Sequence, residues 1–294
     1  MSNSQFRHRW LPLWLAAPQL LLVVLFFYIP IWLAFQWSFT LERPFGGGSE
    51  FVGLQNYARV MSDPEFWLAA KRTLIFMLVG SSLAVIVPLI LAIAADRRIH
   101  LAYPARNVLI WPKAIAGASI GVIFMYIFNP FVGIFAPLNT IWPGIWQPGL
   151  DGTDAFIMLI AAHVWGGIPF NFVILLAGLQ AMPANLHHSA AMDGASAWRR
   201  IIDIQIPMLM PQIFLVFVLE FTESVVSAFS LVDTMTQGGP GGATKLLVYK
   251  IYIDGFQGFD LSGAATQSTI LMVLVILLAA FQFLILEKKV KYDR

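Results

Sequence analysis

Six long apolar runs, with the charges gathered mostly between them, constrain this chain more than any other feature. A helix needs about 20 predominantly apolar residues to cross the hydrocarbon of a bilayer. Runs of that order occupy residues 10–39, 73–95, 107–128, 155–181, 206–232 and 261–286. The first carries no charge, the third is broken only by Lys113, and the fifth holds Glu220 and Glu223. Only 12% of all residues are charged, against about a quarter in a soluble domain. The expectation is an all-α integral membrane protein: six transmembrane helices in a single domain over residues 1–294. Pro18, Pro30, Pro88, Pro112, Pro169 and Pro211 lie inside these runs and predict kinks, tolerated where neighbours satisfy the freed carbonyls. The first run is too long for a signal-peptide core and lacks a small-x-small cleavage site, so it reads as a retained helix.

Orientation follows from lysine and arginine, which favour the cytoplasmic side. Arg7, Arg9, Arg97, Arg98, Arg106, Arg199, Arg200, Lys288, Lys289, Lys291 and Arg294 fall in one alternating set of segments, eleven bases against five acids. The other set holds Arg43, Arg59, Lys71, Arg72, Lys245 and Lys250, six bases against nine acids. Both termini and the loop between the fourth and fifth runs are therefore expected in the cytoplasm. A net charge of +2 suggests no nucleic-acid partner, and the absence of cysteine excludes disulfides, thiolate metal sites and a cysteine nucleophile.

The loops differ in character. Residues 40–65 contain Gly46-Gly47-Gly48 and then Phe51 to Val60, which reads as a turn followed by a short amphipathic helix. Residues 129–154 carry four prolines and four glycines and no base, as in an ordered outer loop. The cytoplasmic loop, 184–207, is the most distinctive. Its order is helix formers, Gly194, a second short stretch with Trp198-Arg199-Arg200, and Pro207 opening the fifth run. Two short helices joined at a glycine make a compact knob.

The spacing of that loop resembles the EAA motif of binding-protein-dependent ABC importer permeases. That motif reads Glu-Ala-Ala, three residues, Gly, nine residues, then Ile-x-Leu-Pro. Here His188-Ser189-Ala190 precedes Asp193-Gly194-Ala195, and Ile204 and Ile206-Pro207 follow at the matching distance. Other segments agree in order with the carbohydrate branch of the family. These are Phe51 to Tyr57, Phe128-Asn129-Pro130, Thr236-Gln237-Gly238-Gly239-Pro240, Tyr249 to Tyr252 and Gly255-Phe256. Within that branch the chain is most similar to glycerol-3-phosphate-type permease subunits. The resemblance implies the type I importer permease fold and a docking role on an ATPase for His188, Ser189, Ala190, Asp193, Gly194 and Ala195. It departs from the family at His188, where the leading glutamate stands elsewhere. A histidine with a pKa near 6.5 cannot reproduce a permanent carboxylate.

Ionisable groups at membrane depth are costly and usually functional. Glu220, Glu223, Ser224 and Ser227 are spaced i, i+3, i+4, i+7 and share one face of a helix. Lys113 and Asn171, with Gln267 and Ser268, are further polar groups within the apolar runs. Structural glue between helices accounts for serines and asparagines as readily as a transport role does. Carboxylates suit sugar hydroxyls, and a lysine meets an anionic group as a point charge. Lys113, Asn171, Glu220, Glu223, Ser224 and Ser227 are thus the candidate substrate path. His163 beside Trp165 reads as a packing or hydrogen-bonded residue. Gly238 to Lys245 fails the phosphate-loop spacing and lies on the outer side.

The reading that follows is a non-catalytic permease subunit in a bacterial inner membrane, without metal or cofactor of its own. The resemblance implies a second homologous permease, two ATPase subunits carrying ATP and magnesium, and a periplasmic solute-binding protein. Its cargo would be glycerol 3-phosphate, a glycerophosphodiester, or a phosphorylated or sulfonated sugar. The alternative is a proton- or ion-coupled secondary transporter using Glu220 or Glu223, for which the sequence offers no inverted repeat. A membrane enzyme ranks third, because the histidines do not converge in this topology.

Overall fold

The computed structural model describes residues 10–43, 46–96, 109 and 111–286. The chain divides into two compact units, one within Met1–Pro64 and Ile251–Val273, the other within Glu65–Lys250 and Leu274–Arg294.

The first unit opens with helix α1, Leu11–Trp37. None of its residues is buried by the rest of the described chain. A helix apolar on every side and uncovered by its own protein is suited to lipid or to a partner. Its middle, Val24–Tyr28, widens into a π-turn two residues ahead of Pro30. Proline has no N–H to donate, and its ring crowds the carbonyl four residues back, so a widened turn relieves both conflicts.

A short hairpin follows, β1 Thr40–Glu42 paired antiparallel with β2 Ser49–Phe51, which the all-helical expectation did not include. Gly53, at φ +59°, turns the chain into helix α2, Gln55–Ser62. Asn56 Nδ2 donates to the carbonyls of Ser38 and Thr40 at 3.1 and 2.9 Å, and Tyr57 shares a 2.8 Å hydrogen bond with Ser38 Oγ. The Phe51 to Tyr57 signature is therefore a clasp for the end of α1. Arg59 donates to both carboxylate oxygens of Asp260 at 2.8 and 3.0 Å, and Asp260 also accepts from Gly263 N at 2.8 Å. Gln267 Nε2 donates to Asp254 Oδ2 at 2.8 Å, while Ser268 bonds back to its own helix at Ala264.

The second unit comprises α3 Pro64–Asp96, α4 Gly117–Ile127, α5 Ala136–Ile141, α6 Gly152–Gln180, α7 Ala184–Met192, α8 Ala197–Met235, α9 Leu247–Tyr252 and the latter part of α10 Leu261–Leu286. Helix α8 packs along α6 and α4. Phe172, Leu175, Leu176 and Leu179 of α6 meet Val85 and Ala92 of α3 and Leu209 and Val216 of α8. A Cβ on Gly178 would stand 2.9 Å from Leu209 Cδ1, so the glycine permits the close approach of α6 and α8. Lipid tails are as apolar as leucine, so this core gains stability from close dispersion contact rather than from expelling water. Like α1, α8 has a π-turn, Ile201–Gln205, ending two residues before a proline, here Pro207.

Five helices among the described residues are long and apolar enough to cross a membrane. The third expected span, 107–128, is not one of them. Residues 107, 108 and 110 lie outside the described part, Trp111–Ala114 form a 3-10 turn around Pro112, and Ala116 is extended before α4 starts. Lys113 therefore sits on the break rather than within a helix. The helix that holds the fifth expected span starts before 206, because α8 runs unbroken from Ala197 through Pro207.

Segment 129–154 is closed by side chains. Trp146 Nε1 donates to Phe128 O at 2.7 Å and its ring stacks on Phe135 at 4.7 Å, while Asn139 ties Pro130 to Trp146. Asp151 caps α6 by accepting from the amides of Thr153 and Asp154 at 2.7 and 3.1 Å. Those amides, Asp154 first, hold its carboxyl below the usual carboxylate range.

Candidate functional site

A cavity of about 220 Å³ opens within the second unit, between the Trp111–Ala114 turn, α4, α6 and α8. Lys113, His163, Glu220, Glu223, Ser227 and Ser230 supply its polar wall. The helical spacing of Glu220, Glu223 and Ser227 delivers all three to one face, as their intervals require. On α6, His163 and Gly167 repeat at i and i+4, and Asn171 follows one further turn along. Gly166, facing Ile120 of α4, and Gly167, facing α8, both line the cavity. A Cβ on Gly167 would stand 3.0 and 3.1 Å from the Glu220 carboxylate oxygens, so glycine here makes room for that side chain.

Glu220 is held by a chain of hydrogen bonds. Asn171 Nδ2 donates to Glu220 Oε1 at 2.8 Å and to Ala84 O at 2.9 Å, which links α6 to both α8 and α3. Asn171 is fully buried and does not line the cavity; it positions the residue that does. The second carboxylate oxygen, Oε2, lies 3.6 Å from His163 Nε2, beyond hydrogen-bond reach. His163 shares a 3.1 Å hydrogen bond with Ser227 through Nδ1 and packs against the Phe76 ring. Lys113 Nζ sits 5.8 Å from the centre of the Phe170 ring, within cation–π range. Among the described residues it forms no ion pair with either glutamate.

The candidate path residues thus divide. Lys113, Glu220, Glu223 and Ser227 meet at the cavity, and Asn171 stands behind it. Ser224 does not join them: its hydroxyl donates to Phe221 O at 2.7 Å in a fully buried position. Sequence reasoning passed over Ser230 and, more consequentially, His163. Taken alone it reads as a packing histidine, and it does pack, but it also faces Glu220. Its repeat with Gly167 and Asn171 along α6 was the available signal.

The 184–207 segment is organised differently. Helix α7 ends in a Schellman turn: Gly194 N donates to Ala191 O at 3.1 Å and Ala195 N to Ala190 O at 2.9 Å, with Gly194 at φ +76°. Ser196 then caps the next helix by accepting from Arg199 N at 3.3 Å. Asp193, Gly194, Met192 and Trp198 are all exposed, Met192 to 83%. Ser189 is exposed on α7 and Ala190 half-buried. The side chain of His188 lies outside the described residues, although the helix carrying it is described.

Known proteins agree with this architecture. Residues 8–292 match the family model of the binding-protein-dependent transport system inner membrane component. The sn-glycerol-3-phosphate transport system permease protein of Brucella abortus is 41% identical over 293 residues, covering 100% of both chains. A chain of a bacterial ABC transporter involved in import of the acidic polysaccharide alginate superposes with a TM-score of 0.81 at 18% identity, covering 96% of each chain. The alginate ABC transporter in complex with an alginate pentasaccharide-bound periplasmic protein superposes at 0.80 and 18% identity, covering 97% of this chain and 96% of that one. The fold is that of an ABC importer permease. The chain belongs to the inner membrane components of binding-protein-dependent transport systems, as a multi-pass, non-catalytic permease subunit.

Proposed function

We propose that this permease forms one side of the path for a small anionic polyol, glycerol 3-phosphate or a glycerophosphodiester, moving from periplasm to cytoplasm. The observation that carries the reading is the convergence of Lys113, Glu220, Glu223 and Ser227 on one cavity in the membrane domain. Lys113, which forms no ion pair among the described residues, is available to a phosphate or sulfonate, while the glutamates suit hydroxyls. The 41% identical relative is a permease of a glycerol-3-phosphate system, which points to the same cargo class. Glu220 and Glu223 serve the imported solute in this reading; family membership leaves no need for an ion-coupled transporter.

A second, non-identical permease completes the path. Two ATPases bind ATP and magnesium at the cytoplasmic face, and a periplasmic protein delivers the solute. Both termini and the 184–207 segment face the cytoplasm, in accord with the distribution of bases. His188, Ser189, Ala190, Asp193, Gly194 and Ala195 dock on an ATPase, whose closure on ATP shifts the permease pair between outward- and inward-facing states. Exposure of Met192 and Asp193 beside the rigid Schellman turn supports a docking role.

The decisive experiment identifies the ligand of the cognate binding protein and then follows uptake by the reconstituted complex. Lys113→Met should weaken uptake of the phosphorylated cargo about 10- to 100-fold, the worth of a lost charge-assisted hydrogen bond. Unaltered uptake would remove Lys113 from the path. A His188→Ala/Asp193→Ala double variant should hydrolyse ATP without proportionate transport. Normal coupling in that variant would remove the two residues from the ATPase interface.

A further inference from the structure

Residues 129–150 are built in the reverse order of a water-facing loop. Asn129, Asn139 and Thr140 turn their side chains onto the segment's own backbone. Asn129 Oδ1 accepts from the amides of Phe131 and Val132 at 2.9 and 3.2 Å, and Thr140 Oγ1 donates to Ala136 O at 2.9 Å. Asn139 donates to Pro130 O and Trp146 O at 3.1 and 2.8 Å and accepts from Trp146 N at 3.0 Å. The apolar side chains lie outside: Phe131, Val132, Ile134, Ile141, Trp142 and Leu150 are all exposed, Phe131 to 85%. No charged residue occurs between Lys113 and Asp151. Polar groups paired within and apolar side chains uncovered without are what a lipid surround favours and what water penalises.

Depth points to the same surround. Helix α6 has 29 residues, about 44 Å at 1.5 Å per residue, which matches the hydrocarbon with both headgroup layers, about 40–45 Å. The segment is tied to the first turn of α6, where Asp154 Oδ2 accepts from Gln147 N at 2.7 Å. Helix α4 has 11 residues, about 16 Å, roughly half the hydrocarbon thickness. It runs from the cavity, which it lines through Gly117 and Ile120, to the start of the segment, and its Val122, Ile123 and Met125 are exposed. We propose that residues 129–150 seat in the headgroup layer of the bilayer, at the end of α6 opposite the 184–207 segment, with their exposed apolar side chains reaching the acyl chains. The seat holds the short α4 at a fixed depth beside the cavity. Irregular backbone does not occur in lipid-exposed hydrocarbon, so the main chain stays among the headgroups, where water and its own side chains satisfy it. Trp142 suits that boundary, as an apolar ring with one N–H for the wet side. The apolar exterior of α4 continues into the segment without a charged break, and a soluble protein docking here would find no charge to fix its register. Because the segment carries no base, the seat does not depend on anionic lipid.

The chain has no cysteine, so single cysteines report on chosen positions. Phe131→Cys, Trp142→Cys and Leu150→Cys, each carrying an environment-sensitive fluorophore, are measured in the complete transporter, with its other subunits free of cysteine, in phosphatidylcholine nanodiscs. Ile276→Cys, an exposed position near the middle of α10, is the reference for the hydrocarbon interior. Copurification of the partner subunits shows that each variant assembles, and Ile141→Cys replaces any that does not. Lipids with a nitroxide near the headgroup should quench the three labels more than lipids with a nitroxide deep in the acyl chain, with the reverse order at Ile276. Aqueous iodide should quench all four weakly, and exchanging part of the lipid for phosphatidylglycerol should leave nitroxide quenching unchanged. The proposal fails if iodide quenches the three labels and the nitroxides do not, which makes the segment an aqueous loop. It fails if neither quencher reaches them, which puts another permease subunit over the segment. It also fails if nitroxide quenching is lost when the loaded binding protein is added, which makes the segment a docking face for that protein.

Discussion

The cavity wall and the 184–207 segment are both functional candidates, and they are built by opposite means. In the wall, position is set by side chains: Asn171 on Glu220, Ser227 on His163, and glycines that admit the carboxylate. In the 184–207 segment, position is set by backbone. A Schellman turn fixes α7 against the following helix, and a serine cap starts that helix. The difference follows from the surroundings. At membrane depth an unsatisfied polar group has little water to turn to, so Glu220 and His163 are each anchored to a neighbouring side chain. On an exposed face water satisfies side chains freely, so a shape intended for docking has to be written into the main chain.

The sharpest way to break this contrast is Asn171→Leu. It removes two buried hydrogen bonds and leaves Glu220 Oε1 unpaired, so it should destabilise the detergent-solubilised permease by about 2–3 kcal/mol. An unchanged unfolding midpoint would mean that the wall is not held by side chains. Next in size is Gly194→Val. A β-branched residue at φ +76° costs about 1–2 kcal/mol, confined to the end of α7. Gly194→Asn should be nearly neutral, because asparagine tolerates that conformation. Hydrogen exchange at Gly194 and Ala195 reads both variants, and equal protection in all three forms would deny the turn its role. Arg199→Ala tests the side chains of the exposed segment. Arg199 lies 3.5 Å from Asp203 with both largely exposed, so stability should change by less than about 0.5 kcal/mol. A larger loss would show that this segment also depends on side-chain pairing.

The most local effect is expected at Asp151, the exposed cap of α6. Its folded-state carboxyl lies below the usual range, so the cap contributes above the ordinary carboxylate pKa and is lost as pH falls through the lowered value. Amide exchange at Thr153 and Asp154 should accelerate in Asp151→Ala near neutral pH. The difference from the native chain should close in strong acid. A difference that persists there would mean the protection does not come from the ionised carboxylate.

Much of this architecture is legible in the linear chain because bilayer thickness imposes a length that local composition reveals. Residues 155–181 and 261–286 anticipate α6 and α10 within a few positions. The third run is less legible for a specific reason: Pro112 and Lys113 sit inside the apolar stretch. There the backbone makes a 3-10 turn and an extended residue before α4. Helix α8 begins before its apolar run because a π-turn lets it pass Pro207, a device invisible to hydropathy. The hairpin over Thr40–Phe51 is too short to register as alternation.

The site divides in the same manner. Sequence alone located most of the long apolar helices, the family spacing around Gly194 and the polar face of Glu220, Glu223 and Ser227, since each depends on intervals within one helix or loop. Tertiary structure alone decided that Lys113 and His163 reach that face, that Asn171 supports it from behind, and that Ser224 turns away to its own backbone. Those outcomes depend on how α3, α4, α6 and α8 pack, and packing is set by glycine clearances and buried hydrogen bonds between residues far apart in the chain.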